Sequence, residues 1–153
     1  MSTAEQHRIL VVDDDPNIVF LLTSLLEEKG YHVLTAANGE IALDCAITDS
    51  PDLILLDINL PHLDGMKVCA KLRKNPVTRQ IPVIFLTGNN SSDRLEQAID
   101  VGANDFLGKP ISSVELFVRI QAMLQTRHIS DTAERMTEYI EMMKRLRPQL
   151  EHR

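Results

Sequence analysis

Four short apolar runs in this 153-residue chain each lead into a residue able to do chemistry, and the segments between them have helical spacing. Ile9 to Val12 runs into Asp13, Asp14 and Asp15, and Leu53 to Leu56 runs into Asp57. Val83 to Leu86 runs into Thr87, and Phe106 and Leu107 lead through Gly108 to Lys109 and Pro110. Runs this short, continuous rather than alternating and rich in β-branched residues, predict strands buried on both faces. His32 to Thr35 adds another strand. Five βα units in strict alternation, joined by right-handed crossovers, give a parallel sheet covered by helices on both sides. Ligands of such sheets bind beyond the carboxyl ends of the strands. The sequence therefore puts several carboxylates, a hydroxyl and an ammonium on one edge of one sheet.

The helices between the strands carry their own punctuation. Asp15 followed by Pro16 reads as an N-cap and first helical residue, with Ile18, Val19, Leu22, Leu25 and Leu26 behind it and Gly30 as the stop. Asn38-Gly39 reads as a turn before a helix carrying Ile41, Ala42, Cys45 and Ala46, which Ser50-Pro51 closes. Val68, Cys69 and Leu72 mark a third helix. A fourth, capped by Ser91 or Ser92, carries Leu95, Ala98 and Ile99 up to Gly102. Ser112 or Ser113 caps a fifth with Leu116, Phe117, Ile120 and Leu124. Leu53 to Leu56 is the most hydrophobic strand and is expected at the centre.

With 44% hydrophobic and 25% charged residues the composition is that of an ordinary globular domain. A formal net charge of −6 argues against nucleic-acid binding by this chain, which would call for a basic surface. Cys45 and Cys69 form no metal or redox motif and read as core or half-buried thiols. The opening MSTAEQHR lacks an apolar signal region, and no apolar run has membrane-spanning length. A cytoplasmic protein is expected.

Asp13, Asp14 and Asp57 would repel one another unless a cation neutralised them, and Mg²⁺ suits a few carboxylates plus waters and a phosphate oxygen. Asp15 is explained by capping alone. Thr87, read alone, is an ordinary strand residue. With Gly88 and Asn89 following it, the backbone can approach a ligand and the hydroxyl can donate to a phosphoryl oxygen. Lys109, at the end of a buried strand, needs a partner there, either a phosphoryl group or the acidic cluster.

From about Ile9 to Gln125 the chain resembles the receiver domain of bacterial two-component response regulators, through VVDDD, LILLDINLPHLDG, IFLTG and FLGKP. The resemblance implies a flavodoxin-like, doubly wound sheet of order 2-1-3-4-5. It implies that Asp57 accepts a phosphoryl group from a histidine kinase or phosphotransfer protein. It further implies that Asp14, Asp57 and the backbone carbonyl of Asn59 bind Mg²⁺, with Asp13 acting mostly through water. Thr87 and Lys109 would contact the phosphoryl group, and Phe106 matches the family's switch aromatic. A cis peptide between Lys109 and Pro110 is also implied. Asn59 and Asn89 stand where the family tunes the lifetime of the acyl phosphate.

A receiver of this kind is expected to span residues 1–128, leaving 129–153 as a helical extension or linker. Ile129, Ala133, Met136, Ile140, Met143 and Leu150 fall on alternating spacings of four and three, with Arg147 filling the remaining slot, a heptad seam over about three repeats. The spacing predicts a helix continuing from the fifth and pairing two copies in parallel, in competition with a helix packing back on its own domain. Two other functions compete with the receiver. An aspartyl-phosphate phosphohydrolase would place a second acid where this chain has Asn59. A non-phosphorylated interaction module would not need the set Asp13, Asp14, Asp57, Thr87 and Lys109.

Overall fold

The computed structural model describes residues 6–88 and 92–151, in two compact units, Met1–Gly108 and Lys109–Arg153. The first unit contains β1 (Arg8–Val12), α1 (Pro16–Glu28), β2 (His32–Ala36), α2 (Gly39–Asp49), β3 (Leu53–Asp57), α3 (Gly65–Lys74), β4 (Val83–Thr87), α4 (Ser92–Asp100) and β5 (Asp105–Gly108). All strand pairings are parallel, in the order β2-β1-β3-β4-β5, so the chain has the flavodoxin-like sheet and β3 lies at its centre. Every residue of β3 and β4 is buried, which is why these strands read as unbroken apolar runs.

Successive side chains of a strand face opposite ways, so each run serves two layers. Leu10, Val12, Ile54, Leu56, Val83 and Phe85 join Ala42 and Ala46 of α2, Val68, Cys69 and Leu72 of α3, and Ala98 of α4 in one apolar cluster. The alternate residues Ile9, Val11, Leu53, Leu55, Ile84 and Leu86 are fully buried too, and α1, with buried Leu22 and Leu26, packs against β1 and β2. Each such side chain contributes on the order of 1.5–3 kcal/mol before ordering costs. No helix is long and apolar enough to cross a membrane among the described residues.

Asp15 caps α1 by accepting from the Asn17 amide, with Pro16 as the first helical residue. Asn38-Gly39 is not a free turn. Asn38 caps α2 by accepting from the Ile41 amide, and Gly39 is already helical. Ser91 lies outside the described residues. At the opposite edge of the sheet from the carboxyl ends, Arg73 of α3 binds a ring of acceptors. Its Nε donates to the Gly102 carbonyl at 3.0 Å, Nη1 to those of Arg79 (3.1 Å) and Ile81 (2.9 Å), and Nη2 to Asn104 Oδ1 at 2.9 Å. Asn104 Oδ1 also accepts from the Val83 amide at the start of β4.

The second unit opens with a cis peptide between Lys109 and Pro110, as expected, followed by α5 (Ser113–Thr126) and α6 (Thr132–Glu151). Ser112 caps α5 by accepting from the Glu115 amide. The tail is helical, but it does not continue α5. The α-helix stops at Thr126, and Asp131 starts a new one by accepting from the Glu134 amide at 2.8 Å. The chain then doubles back, so that Arg147, near the end of α6, reaches Glu115 at the start of α5. Arg135, Tyr139, Met142 and Leu146 are half-buried along α6, whereas Met136 and Ile140 of the heptad seam stay 58% and 46% exposed. The two helices thus form an antiparallel hairpin within one chain, and α6 runs through Pro148 to Glu151.

Candidate functional site

Because β1 and β3 are neighbours with Val12 opposite Leu56, Asp13, just past β1, falls beside Asp57, the last residue of β3. Asp13 and Asp57 are 1% and 4% exposed there, while Asp14 faces solvent. One carboxylate oxygen from each of the three lies within 4.8 Å of the others. Local turns hold two of them in place. Asp13 Oδ1 accepts from the Asp15 amide at 2.9 Å, and Asp57 Oδ1 accepts from the Asn59 amide at 3.1 Å.

Three negative groups this close repel, and two are largely removed from water, so the cluster by itself opposes folding. Oxygen ligands from a few carboxylates match the hard cation that Mg²⁺ provides, with positions left for waters and a phosphoryl oxygen. The donor set therefore fits the ion that the sequence implies.

The loop after β3 is tightly built. The Gly65 amide donates to the Ile58 carbonyl at 2.8 Å, and Asp64 caps α3 by accepting from the Lys67 amide. A Cβ on Gly65 would lie 2.4 Å from the Asp57 carbonyl oxygen and 2.8 Å from Ile58 Cα. Only glycine allows α3 to start against the backbone of the central aspartate.

Thr87 ends β4, 1% exposed, one residue beyond Leu86, which pairs with Asp57. Phe106 of β5 lies opposite Phe85 and packs, half-buried, against the apolar cluster. Lys109 directly follows Gly108, the strand partner of Thr87, and opens the second unit, half-buried. Asn89 lies outside the described residues. Asn59 is exposed, and its side-chain Oδ1 accepts from Nη2 of Arg94, on α4, at 3.1 Å. Sequence reasoning did not single out Arg94 or Gly65. Gly65 had a signal, a glycine directly after Asp64, whereas a pairing across 35 residues has none.

An aspartate triad at the carboxyl edge of a five-stranded parallel sheet defines an α/β domain with a candidate cation site at that edge. The chain matches the model of the response regulator receiver domain over residues 9–121, and it belongs to that family. It is 45% identical over 125 residues to response regulator PleD of Caulobacter vibrioides, covering 81% of this chain and 27% of that protein. It is 41% identical over 129 residues to the alkaline phosphatase synthesis transcriptional regulatory protein PhoP of Bacillus subtilis, covering 84% of this chain and 53% of PhoP. The chain thus spans between about a quarter and a half of these curated relatives.

Among solved structures, a putative response regulator from Chloroflexus aurantiacus is similar at a TM-score of 0.76 and 35% identity, covering 79% of this chain and 99% of that one. The receiver domain of sensor histidine kinase PA1611 from Pseudomonas aeruginosa, with a magnesium ion coordinated in its active site cleft, is similar at a TM-score of 0.70 and 34% identity, covering 78% and 95%. The chain is a receiver domain of the two-component type.

Proposed function

We propose that this receiver takes a phosphoryl group onto Asp57 from the phosphohistidine of a sensor kinase or phosphotransfer protein, and so controls a downstream output. The observation that carries the reading is the gathering of Asp13, Asp14 and Asp57, with Asp57 buried at the end of the central strand. In the transfer an Asp57 carboxylate oxygen forms a bond to phosphorus, the N–P bond of the donor breaks, and the imidazole nitrogen keeps the electron pair. Asp14, Asp57 and the Asn59 carbonyl would hold Mg²⁺, with Asp13 acting mostly through water. The bound ion supplies positive charge against the phosphoryl oxygens.

The Asn59 amide orients the Asp57 carboxylate for attack. In this reading Thr87 donates its hydroxyl to a phosphoryl oxygen, Lys109 neutralises another, and Phe106 responds as the switch. The receiver spans residues 1–128, and 129–153 is its extension. Self-phosphorylation and self-dephosphorylation are the only chemistry assigned to the domain.

Incubating the chain with acetyl phosphate and Mg²⁺, then measuring intact mass, tests the proposal. One phosphate per chain is expected, absent in Asp57→Asn. An unchanged yield in that variant refutes the assignment, and unlimited donor turnover would instead favour a phosphohydrolase. Exposed Met136 and Ile140 on α6 favour pairing of two copies through that helix. Sedimentation of the chain against a version ending at His128 tests this, and two monomers with and without phosphodonor would refute it.

A further inference from the structure

The outward faces of α2 and α3 carry opposite charges. On α3, Lys67, Lys71 and Lys74 are exposed at helical spacing, while Met66, Val68, Cys69 and Leu72 are buried, and the helix contains no acid. On α2, Glu40 and Asp44 are exposed one turn apart, flanked by Ile41 and Ile47, which are 49% and 43% exposed. Each line sets like charges four residues apart, which weakens its own helix. Among the described residues none of these five charged side chains is in an ion pair. Both helices follow strands of one parallel sheet, so both leave its carboxyl edge and run the same way. They start side by side, since a Cβ on Gly39 would lie 2.6 Å from Val68 Cγ2. From that edge the acids come in the order Glu40, Asp44, and the lysines in the order Lys67, Lys71, Lys74.

We propose that this face binds a second copy of the chain about a two-fold axis, with α2 of each copy antiparallel to α3 of the other. A two-fold contact needs one self-complementary patch, and an acidic line beside a basic one is such a patch. The reversed direction sets Asp44 against the partner's Lys71 and Glu40 against the partner's Lys74. The steps match, at about 6 Å along α2 and about 4.5 Å along α3, and the long lysine stems absorb the difference. Ile41 and Ile47 supply apolar contact around the acids. A purely acidic partner would satisfy the lysines but meet repulsion from Glu40 and Asp44, whereas a second copy answers both signs. The pairing does not depend on the role of Asp57.

Sedimentation of the full chain at low ionic strength, over a concentration series, tests the proposal. Wild type is expected to self-associate, and about 0.5 M salt to weaken the association several-fold. Lys71→Glu and Asp44→Lys each turn two attractive contacts into two repulsive ones, so each should weaken it roughly tenfold. Mixed in equal amounts, the two variants should associate with each other about as tightly as wild type, because every altered residue then meets its opposite charge. Circular dichroism melts establish that both variants are folded. Pairing through Met136 and Ile140 of α6 is apolar and would survive both substitutions. A wild type that stays monomeric, an association that neither substitution weakens, or a mixture that fails to recover overturns the proposal.

Discussion

Breaking the ion pair that closes the α5–α6 hairpin should loosen α6, and acid should do the same. Glu115 accepts from Arg147 Nε at 3.0 Å and Nη2 at 3.1 Å, a forked pair, and Arg119 one turn along α5 binds the same carboxylate. The hydrogen bonds from Arg147 are the largest cause that holds the Glu115 pKa down to about 2 from an ordinary 4.5, with Arg119 helping and burial opposing. The Arg147 guanidinium is held correspondingly upward by Glu115. A folded-state pKa below the unfolded one gives stability that is fully present above pH 4.5 and lost as pH falls towards about 2. Both side chains are about a third exposed, so solvent screening limits the coupling to about 1 kcal/mol. A double-mutant cycle of Glu115→Gln and Arg147→Gln, read by hydrogen exchange of α6 amides, measures it. Wild-type α6 should exchange several-fold more slowly than in Glu115→Gln above pH 4.5, and the gap should close below about pH 2. A coupling under about 0.3 kcal/mol, or a gap that ignores pH, would refute the reasoning.

Other outcomes follow from the site. Gly65→Ala should lower stability by roughly 2–3 kcal/mol, because its Cβ meets fixed backbone rather than a movable side chain; a urea midpoint equal to wild type would show that the loop can yield. Asp14→Ala should raise the metal-free melting temperature by roughly 2–4 °C by relieving carboxylate repulsion, and should remove the stabilisation that Mg²⁺ gives the wild type. Circular dichroism melts with and without Mg²⁺ check this, and a wild-type melting temperature indifferent to the ion would count against the metal site.

The sheet was legible because buried parallel strands leave continuous apolar runs, and four of the five strands here lead into a residue of the candidate site. The caps at Asp15 and Ser112 were legible for a similar reason: each sits directly before a helical pattern and satisfies an amide that the helix leaves open. Asn38-Gly39 misled because the pair suits both a turn and a helix start, and only the Ile41 amide decides between them. The tail misled more deeply. Spacings of four and three fit a seam between two chains and equally a helix folded onto its neighbour. The deciding signal was Asp131 with Glu134 three residues on, an acidic pair at a helix start that interrupts any continuous rod. Contacts between distant segments, such as Arg94 with Asn59 or Arg147 with Glu115, leave no local trace.

The ring of hydrogen bonds around Arg73 pins one end of the sheet. One guanidinium rivets the end of α3, the approach to β4 and the turn into β5 together at their amino-terminal edge. Val83, the first residue of β4, is tied through Asn104 to that same guanidinium, so β4 carries Thr87 at the far end of a strand whose root is held.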